Sequence, residues 1–78
     1  MAVNAYVLIK VQAGKIKQTV DRISQIKGVK AAHACWGQPD IFAYVEAPNQ
    51  RALSELVLTK IQGVEGVTSS DTHIVVEF

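Results

Sequence analysis

The stretch WGQPDIFAYVE, residues 36–46, decides the fold, because it sets a tight turn between two apolar runs. Glycine, proline and aspartate favour turns, whereas the isoleucine, phenylalanine, tyrosine and valine that follow favour strands. The pattern predicts a third strand over 40–46, joined by a hairpin to a second strand over 29–36. That second strand is rich in alanine, but the glycines at 28 and 37 leave too little room for a full helix.

Amphipathic segments lie on both sides of this hairpin. Apolar residues recur at three- and four-residue spacing over 15–26, which predicts a helix closed by a glycine. A second helix is predicted over 49–61, with Asn49 as its N-cap. Strands rich in β-branched residues are predicted over 5–11 and 68–78. The predicted element order is therefore βαββαβ.

This order is that of the ferredoxin-like split βαβ unit, an α+β fold. Right-handed crossovers place both helices on one face of a four-stranded antiparallel sheet. We expect residues 1–78 to form a single domain of this kind. The other face is then uncovered, although the first and third strands are apolar on both of their faces. We therefore expect a homodimer in which two copies pack sheet against sheet, a dimeric α+β barrel.

Composition supports oligomerisation and excludes several functions. A chain of 78 residues buries a small core, and one cysteine and two histidines offer neither a disulfide nor an evident structural metal. The formal net charge is +1 and no run of Lys or Arg occurs, so direct binding to nucleic acid is not expected. Neither a signal peptide nor a membrane span is evident, and lone Cys35 fits a reducing compartment, so we expect a cytoplasmic protein.

A search for chemistry in the sequence is mostly negative. The chain contains no zinc-binding spacing, phosphate-binding loop, dinucleotide fingerprint or nucleophile elbow. His33 and Cys35 share one face of a strand, but no third ligand lies near them in sequence. His73 has no evident carboxylate or nucleophile as a partner. We expect no catalytic residues, no metal and no cofactor, while Trp36 fits either a core position or an interface.

The turn itself is the most specific feature. Gly37 permits a positive φ or a close approach of the backbone to a ligand, and Pro39 stiffens the turn. The Asp40 carboxylate suits either nearby backbone amides or the ammonium group of a ligand. The chemistry of the turn alone favours the first of these two roles.

Taken in order, these features resemble the effector-binding (RAM) domain of the Lrp/AsnC, or feast/famine, regulators. The resemblance covers essentially the whole chain. It rests on the first strand, a helix closed by Gly28, the turn at 37–41, a helix around Leu53 and the segment 66–72. Such regulators normally carry an N-terminal helix-turn-helix domain, which residues 1–78 lack, so the chain is similar to their stand-alone members.

The resemblance implies a non-enzymatic sensor in transcription regulation, with a small effector, usually an amino acid, held between dimers. The dimers are expected to assemble into a ring, commonly an octamer, and to pair with full-length Lrp/AsnC regulators. A zwitterion needs an anionic partner for its ammonium group and donors for its carboxylate. The resemblance assigns ligand binding to Gly37, Gln38, Pro39, Asp40, Thr68, Ser69, Ser70 and Thr72, which include groups of both kinds.

Two other classes remain open. Dimeric ferredoxin-like barrels also include small cofactor-independent monooxygenases, in which His33 or His73 would act as the base. A structural oligomerisation module, or an amino-acid-binding ACT-type domain, shares the same element order.

Overall fold

A computed structural model describes residues 2–78, which form four strands and two helices in the predicted order βαββαβ. The strands are β1 (Val3–Val11), β2 (Val29–Ala34), β3 (Ile41–Ala47) and β4 (Val67–Ile74), and the helices are α1 (Ile16–Ser24) and α2 (Gln50–Glu55). A π-helical segment, Leu56–Ile61, continues α2.

The strands form one sheet in the order β2-β3-β1-β4, and every neighbouring pair is antiparallel. This arrangement confirms the predicted ferredoxin-like fold. The β2–β3 hairpin continues past the end of β2, where the N–H of Cys35 donates to the carbonyl of Asp40 at 2.8 Å.

The core lies between one face of the sheet and the two helices. Residues of β1 alternate between buried and more exposed, and those of β3 do the same, as expected for strands with one covered face. Burying one large aliphatic side chain contributes about 1.5–3 kcal/mol to folding. The core residues are Ala5, Val7, Ile9, Val11, Ile41, Ala43, Val45 and Ala47 from the sheet, and Ile23, Leu53, Leu56, Val57 and Ile61 from the helical segments.

The opposite face of the sheet, which we call the open face, carries aromatic side chains. Tyr6 lies opposite Tyr44 in the β1–β3 register, and their ring centroids are 4.9 Å apart. Tyr6 and Phe42 remain 50% and 39% exposed. Because both helices lie on the other face, an apolar surface is left in contact with solvent.

Several element boundaries differ from the predictions. β4 ends at Ile74 rather than Phe78, because its partner β1 starts at Val3 and offers little further backbone; the last ladder bond joins the N–H of Val75 to the carbonyl of Asn4 at 2.8 Å. Likewise β2 ends before Trp36, whose side chain is fully exposed, so a core role for it is wrong.

The second helix begins as predicted and ends differently. The Asn49 side-chain oxygen accepts the N–H of Ala52 at 2.8 Å, which confirms the N-cap. From Leu56 onward the helix widens, and the N–H of Gln62 donates to the carbonyl of Val57, five residues earlier, at 3.0 Å. No helix within residues 2–78 is long and apolar enough to cross a membrane.

A hydrogen bond and an ion pair join the α1 region to the loop before β4. Thr19 is fully buried, and its hydroxyl donates to the carbonyl of Glu65 at 3.1 Å. The Lys15 ammonium lies 2.9 Å from the Glu65 carboxylate, and this hydrogen bond and charge lower the pKa of the Glu65 carboxyl. Gly66 follows with a φ of 103°, and a Cβ there would lie 2.5 Å from the Thr19 hydroxyl oxygen. The backbone conformation and the close approach both require glycine.

We predict that Gly66→Ala lowers the free energy of unfolding by about 1–3 kcal/mol, measured by urea denaturation. Gly14→Ala is the matched control, since Gly14 also has a positive φ, 84°, but no heavy atom lies within 4 Å of the position that a Cβ would take there. The control should lose less stability. Equal losses in the two variants would show that the Thr19 contact imposes no constraint.

Candidate ligand-binding site

The turn between β2 and β3 projects from one end of the sheet. Gly37 has a φ of 103°, in the region that favours glycine, and the peptide bond between Gln38 and Pro39 is cis. The side chain of Gln38 is exposed, whereas Pro39 and Asp40 are half-buried. The positive φ allowed for Gly37 in the sequence analysis is confirmed.

Asp40 ties this turn to the end of β1. Its N–H donates to the carbonyl of Ile9 at 3.0 Å, and its carboxylate Oδ2 accepts the N–H of Val11 at 2.8 Å. The aspartate therefore braces a neighbouring strand, which lies 29 residues away in the sequence. Of the two carboxylate oxygens of Asp40, only Oδ2 takes part in a side-chain hydrogen bond within residues 2–78. Oδ1 therefore keeps its capacity to accept a hydrogen bond.

The second group of assigned residues lies in β4 itself. The strand predicted over 68–78 already contained these residues, and β4 begins one residue earlier, at Val67, opposite Val11. The Thr68 hydroxyl donates to the carbonyl of Lys10 at 3.1 Å, and the Ser70 hydroxyl accepts the side-chain amide of Gln62 at 2.8 Å. Polar residues are tolerated here because β4 is an edge strand.

The structure brings the two groups to the same end of the sheet. Asp40 contacts the last residues of β1 from one side, and Ser69 and Ser70 pair with Lys10 and Ile9 from the other. Since neighbouring strands lie about 4.8 Å apart, two strand spacings, roughly 10 Å, separate the groups. Thr72 is not brought to this end, because it pairs with Val7 further along β1.

Lys10 lies between the two groups, and the sequence analysis missed it. Its side chain is exposed and it pairs with Ser69. The two hydrogen bonds that Asp40 makes to β1 go to the residues on either side of Lys10. A lysine ammonium here supplies the positive charge that a ligand carboxylate needs. No local sequence signal marks the residue, because its neighbours come from β3 and β4.

The two best-formed surface cavities of residues 2–78 lie away from this site. Their volumes are about 360 and 230 Å³, and neither is lined by any of the eight assigned residues. A ligand held by these residues in a single copy would therefore stay open to solvent.

The two histidines lie on strands at opposite edges of the sheet. His73 Nε2 lies 3.2 Å from Asp71 Oδ2, so the expectation that His73 lacks a carboxylate partner is wrong. The two residues are two apart on β4 and therefore share one face. His33 and Cys35 are both exposed. Within residues 2–78, no three His, Cys, Asp or Glu side chains come together to hold a metal ion.

Comparison with known proteins decides the family. The family model of the Lrp/AsnC ligand binding domain matches residues 4–78. The chain belongs to this family. This Lrp/AsnC domain is 27% identical over 70 residues to an uncharacterized HTH-type transcriptional regulator of Pyrococcus furiosus, covering 90% of the chain and 47% of the relative. The chain thus spans about half the length of that regulator, and the resemblance found in the sequence is confirmed.

Solved structures share the fold of this Lrp/AsnC domain. The protein TTHA0845 from Thermus thermophilus superposes with a TM-score of 0.91 at 22% identity, covering 97% of this chain and 95% of that one. The transcriptional regulator NMB0573 from Neisseria meningitidis, solved as a complex with L-Met, gives a TM-score of 0.84 at 17% identity, covering 96% of this chain and 50% of that one. At these identities the likeness shows the fold alone.

We predict that Asp40→Ala lowers the free energy of unfolding by about 1–3 kcal/mol, because the N–H of Val11 loses its acceptor. Asp40→Asn keeps a carbonyl oxygen at the same position and should lose less. Urea denaturation of the three proteins measures both effects. If Asp40→Ala were as stable as the unmodified chain, the carboxylate would not brace β1.

Proposed function

We propose that this Lrp/AsnC domain is a non-enzymatic amino-acid sensor, in which residues 1–78 act as one ligand-binding domain. The observation that carries the proposal is the gathering of Asp40, Lys10 and Ser69 at one end of the sheet, away from the two best-formed cavities of residues 2–78. Asp40 and Lys10 supply the negative and positive charges that a zwitterion requires. In our proposal, a second subunit covers the side of the site that one copy leaves open.

The hydrogen-bonding capacity of the site supports a zwitterionic ligand. Asp40 Oδ1 is available for an ammonium group while Oδ2 holds β1. The Thr68 hydroxyl proton is already donated, whereas Ser70 accepts from Gln62 and keeps its own proton to donate. Ser70, however, pairs with the core residue Ile9 and so points to the helical face, whereas Ser69 pairs with Lys10 and shares its face. Within the assigned set, Ser69 is therefore the better donor to a ligand carboxylate beside Lys10. The bound L-Met in the Neisseria regulator, which has the same fold, supports an amino acid as the ligand class.

The open face supports assembly through the sheets. Tyr6, Phe42 and Tyr44 form an apolar surface in the middle of this face, and a second copy packed against it would remove that surface from water. In our proposal such dimers associate further, up to an octamer, and the effector binds between them. Pairing with longer Lrp/AsnC regulators through the same face would link the sensor to transcription.

We predict that the chain is a dimer or larger assembly at micromolar concentration, measured by light scattering during size-exclusion chromatography. Phe42→Glu should shift the mass towards the monomer, because a charge would be buried in the sheet interface. Leu58→Glu is the matched control, since Leu58 is 63% exposed on the helical side, and it should not change the mass. A monomeric unmodified chain would refute the sheet interface.

We predict that one or a few of the twenty amino acids raise the melting temperature of the protein. A ligand at about a hundred times its dissociation constant stabilises a fold by roughly 2.7 kcal/mol. Asp40→Asn should reduce the shift while keeping the hydrogen bond to β1, and Asp21→Asn, on the exposed face of α1, should retain it in full. A shift of unchanged size in Asp40→Asn would remove the carboxylate from the site, and no shift for any amino acid would exclude this ligand class.

One observation favours the enzymatic alternative. The Asp71 carboxylate beside His73 can orient an imidazole, as in general bases. Both side chains are exposed, however, and neither cavity is lined by them. Membership of a ligand-binding family of regulators supports the sensor instead.

A further inference from the structure

The larger cavity lies far from the site proposed above. It has a volume of about 360 Å³ and opens between the loop before β2, the end of β3 and the second helix. Ala47, at the far end of β3 from Asp40, lines it. Seven residues of extended strand place the two regions roughly 20 Å apart. A ligand in this cavity would therefore bind independently of Asp40.

The lining of the cavity is apolar inside and charged at its edge. Ala47, Ala52 and Leu56 are at least half-buried, whereas Lys27, Glu55 and Lys60 are exposed. The volume lies at the lower end of the roughly 300–1,000 Å³ usual for small-molecule sites. The cavity therefore suits a small molecule with a short apolar part and charged groups at one end.

The π-helical segment shapes this cavity. Glu55 and Lys60 both line it, yet at 3.6 residues per turn two residues five apart lie about 140° apart around a helix axis. In the π-helical segment the hydrogen bonds span five residues, as from Gln62 to Val57, and the turn is wider. Residues five apart therefore lie closer to the same side of the helix. Segments of this kind occur frequently at functional sites. Here the wider turn places an acid and a base on the same cavity.

The charges at the edge are available to a ligand. Among residues 2–78, the ion pairs within 4 Å involve none of Lys27, Glu55 and Lys60. Glu46, which also lines the cavity, lies 3.6 Å from the Lys30 ammonium. An acidic and two basic side chains without partners match the ammonium and carboxylate groups of one zwitterion.

We propose that this cavity is a second ligand site, contained in a single copy of the chain, for a zwitterion with a short aliphatic side chain. The apolar lining takes the aliphatic part, Glu55 takes the ammonium group, and Lys27 and Lys60 take the carboxylate. The proposal stands on the cavity and its charges and does not depend on the proposed function of the Asp40 site.

The test uses the full chain carrying Asp40→Asn, so that the other site does not contribute. Calorimetric titration with L-leucine should show one site per chain. Its two single-charge analogues should bind about tenfold or more weakly, because 4-methylpentanoate leaves Glu55 without a partner and 3-methylbutylamine leaves the two lysines without one. Absence of L-leucine binding in this variant, or equal binding of the analogues, would overturn the proposal.

Variants in the cavity complete the test. Ala52→Leu should remove binding by filling the apolar lining, and Ser54→Leu, on an exposed position of the same helix that does not line the cavity, should keep it. Glu55→Gln and Lys60→Gln change exposed side chains and should each weaken binding about tenfold, so they decide the matter if Ala52→Leu does not fold. Binding that is lost in Asp40→Asn but unchanged in the cavity variants would support the proposed function and overturn this second site.

Discussion

Main-chain hydrogen bonds bind β1 to β3 along one edge and to β4 along the other, and the rest of the molecule is arranged around this pairing. One face of β1 supplies the centre of the core through Val7 and Ile9. The other face supplies Tyr6 at the middle of the open face. The end of the strand, where the ladders stop, is where Asp40 and the start of β4 meet the same backbone. A change in β1 would therefore affect packing and, in our proposal, assembly and ligand binding as well.

In the proposed site, one side chain would serve both structure and binding. One carboxylate oxygen of Asp40 accepts the N–H of Val11 at the end of β1, and the other is free of side-chain hydrogen bonds within residues 2–78. The hydrogen bond fixes the direction of the carboxylate, so a ligand bound as we propose would cost less conformational freedom. The same bond means that removing the side chain disturbs the sheet, and a loss of binding in an alanine variant would have two causes.

The sequence predicted the features that depend on neighbouring residues. The runs of β-branched residues, the amphipathic helices and the Asn49 cap are short-range patterns, and each was found in its predicted element. The π-helical segment was missed, because its wider turn is set by how the segment packs in the core rather than by local propensity. Lys10 was missed because its neighbours come from other parts of the sheet, which the local sequence does not show. The Asp71–His73 contact was missed because the sequence does not show the distance between two side chains on the same face of a strand.

The exposure of Trp36 has a practical consequence. It is the only tryptophan in the chain, and in a single copy its side chain is fully in water, next to the turn that carries Asp40. Indole emission shifts to shorter wavelength when the ring leaves water. The protein therefore carries an intrinsic fluorophore at the border of the proposed interdimer site, and its emission spectrum would report the closing of a neighbouring subunit over the turn without any added label.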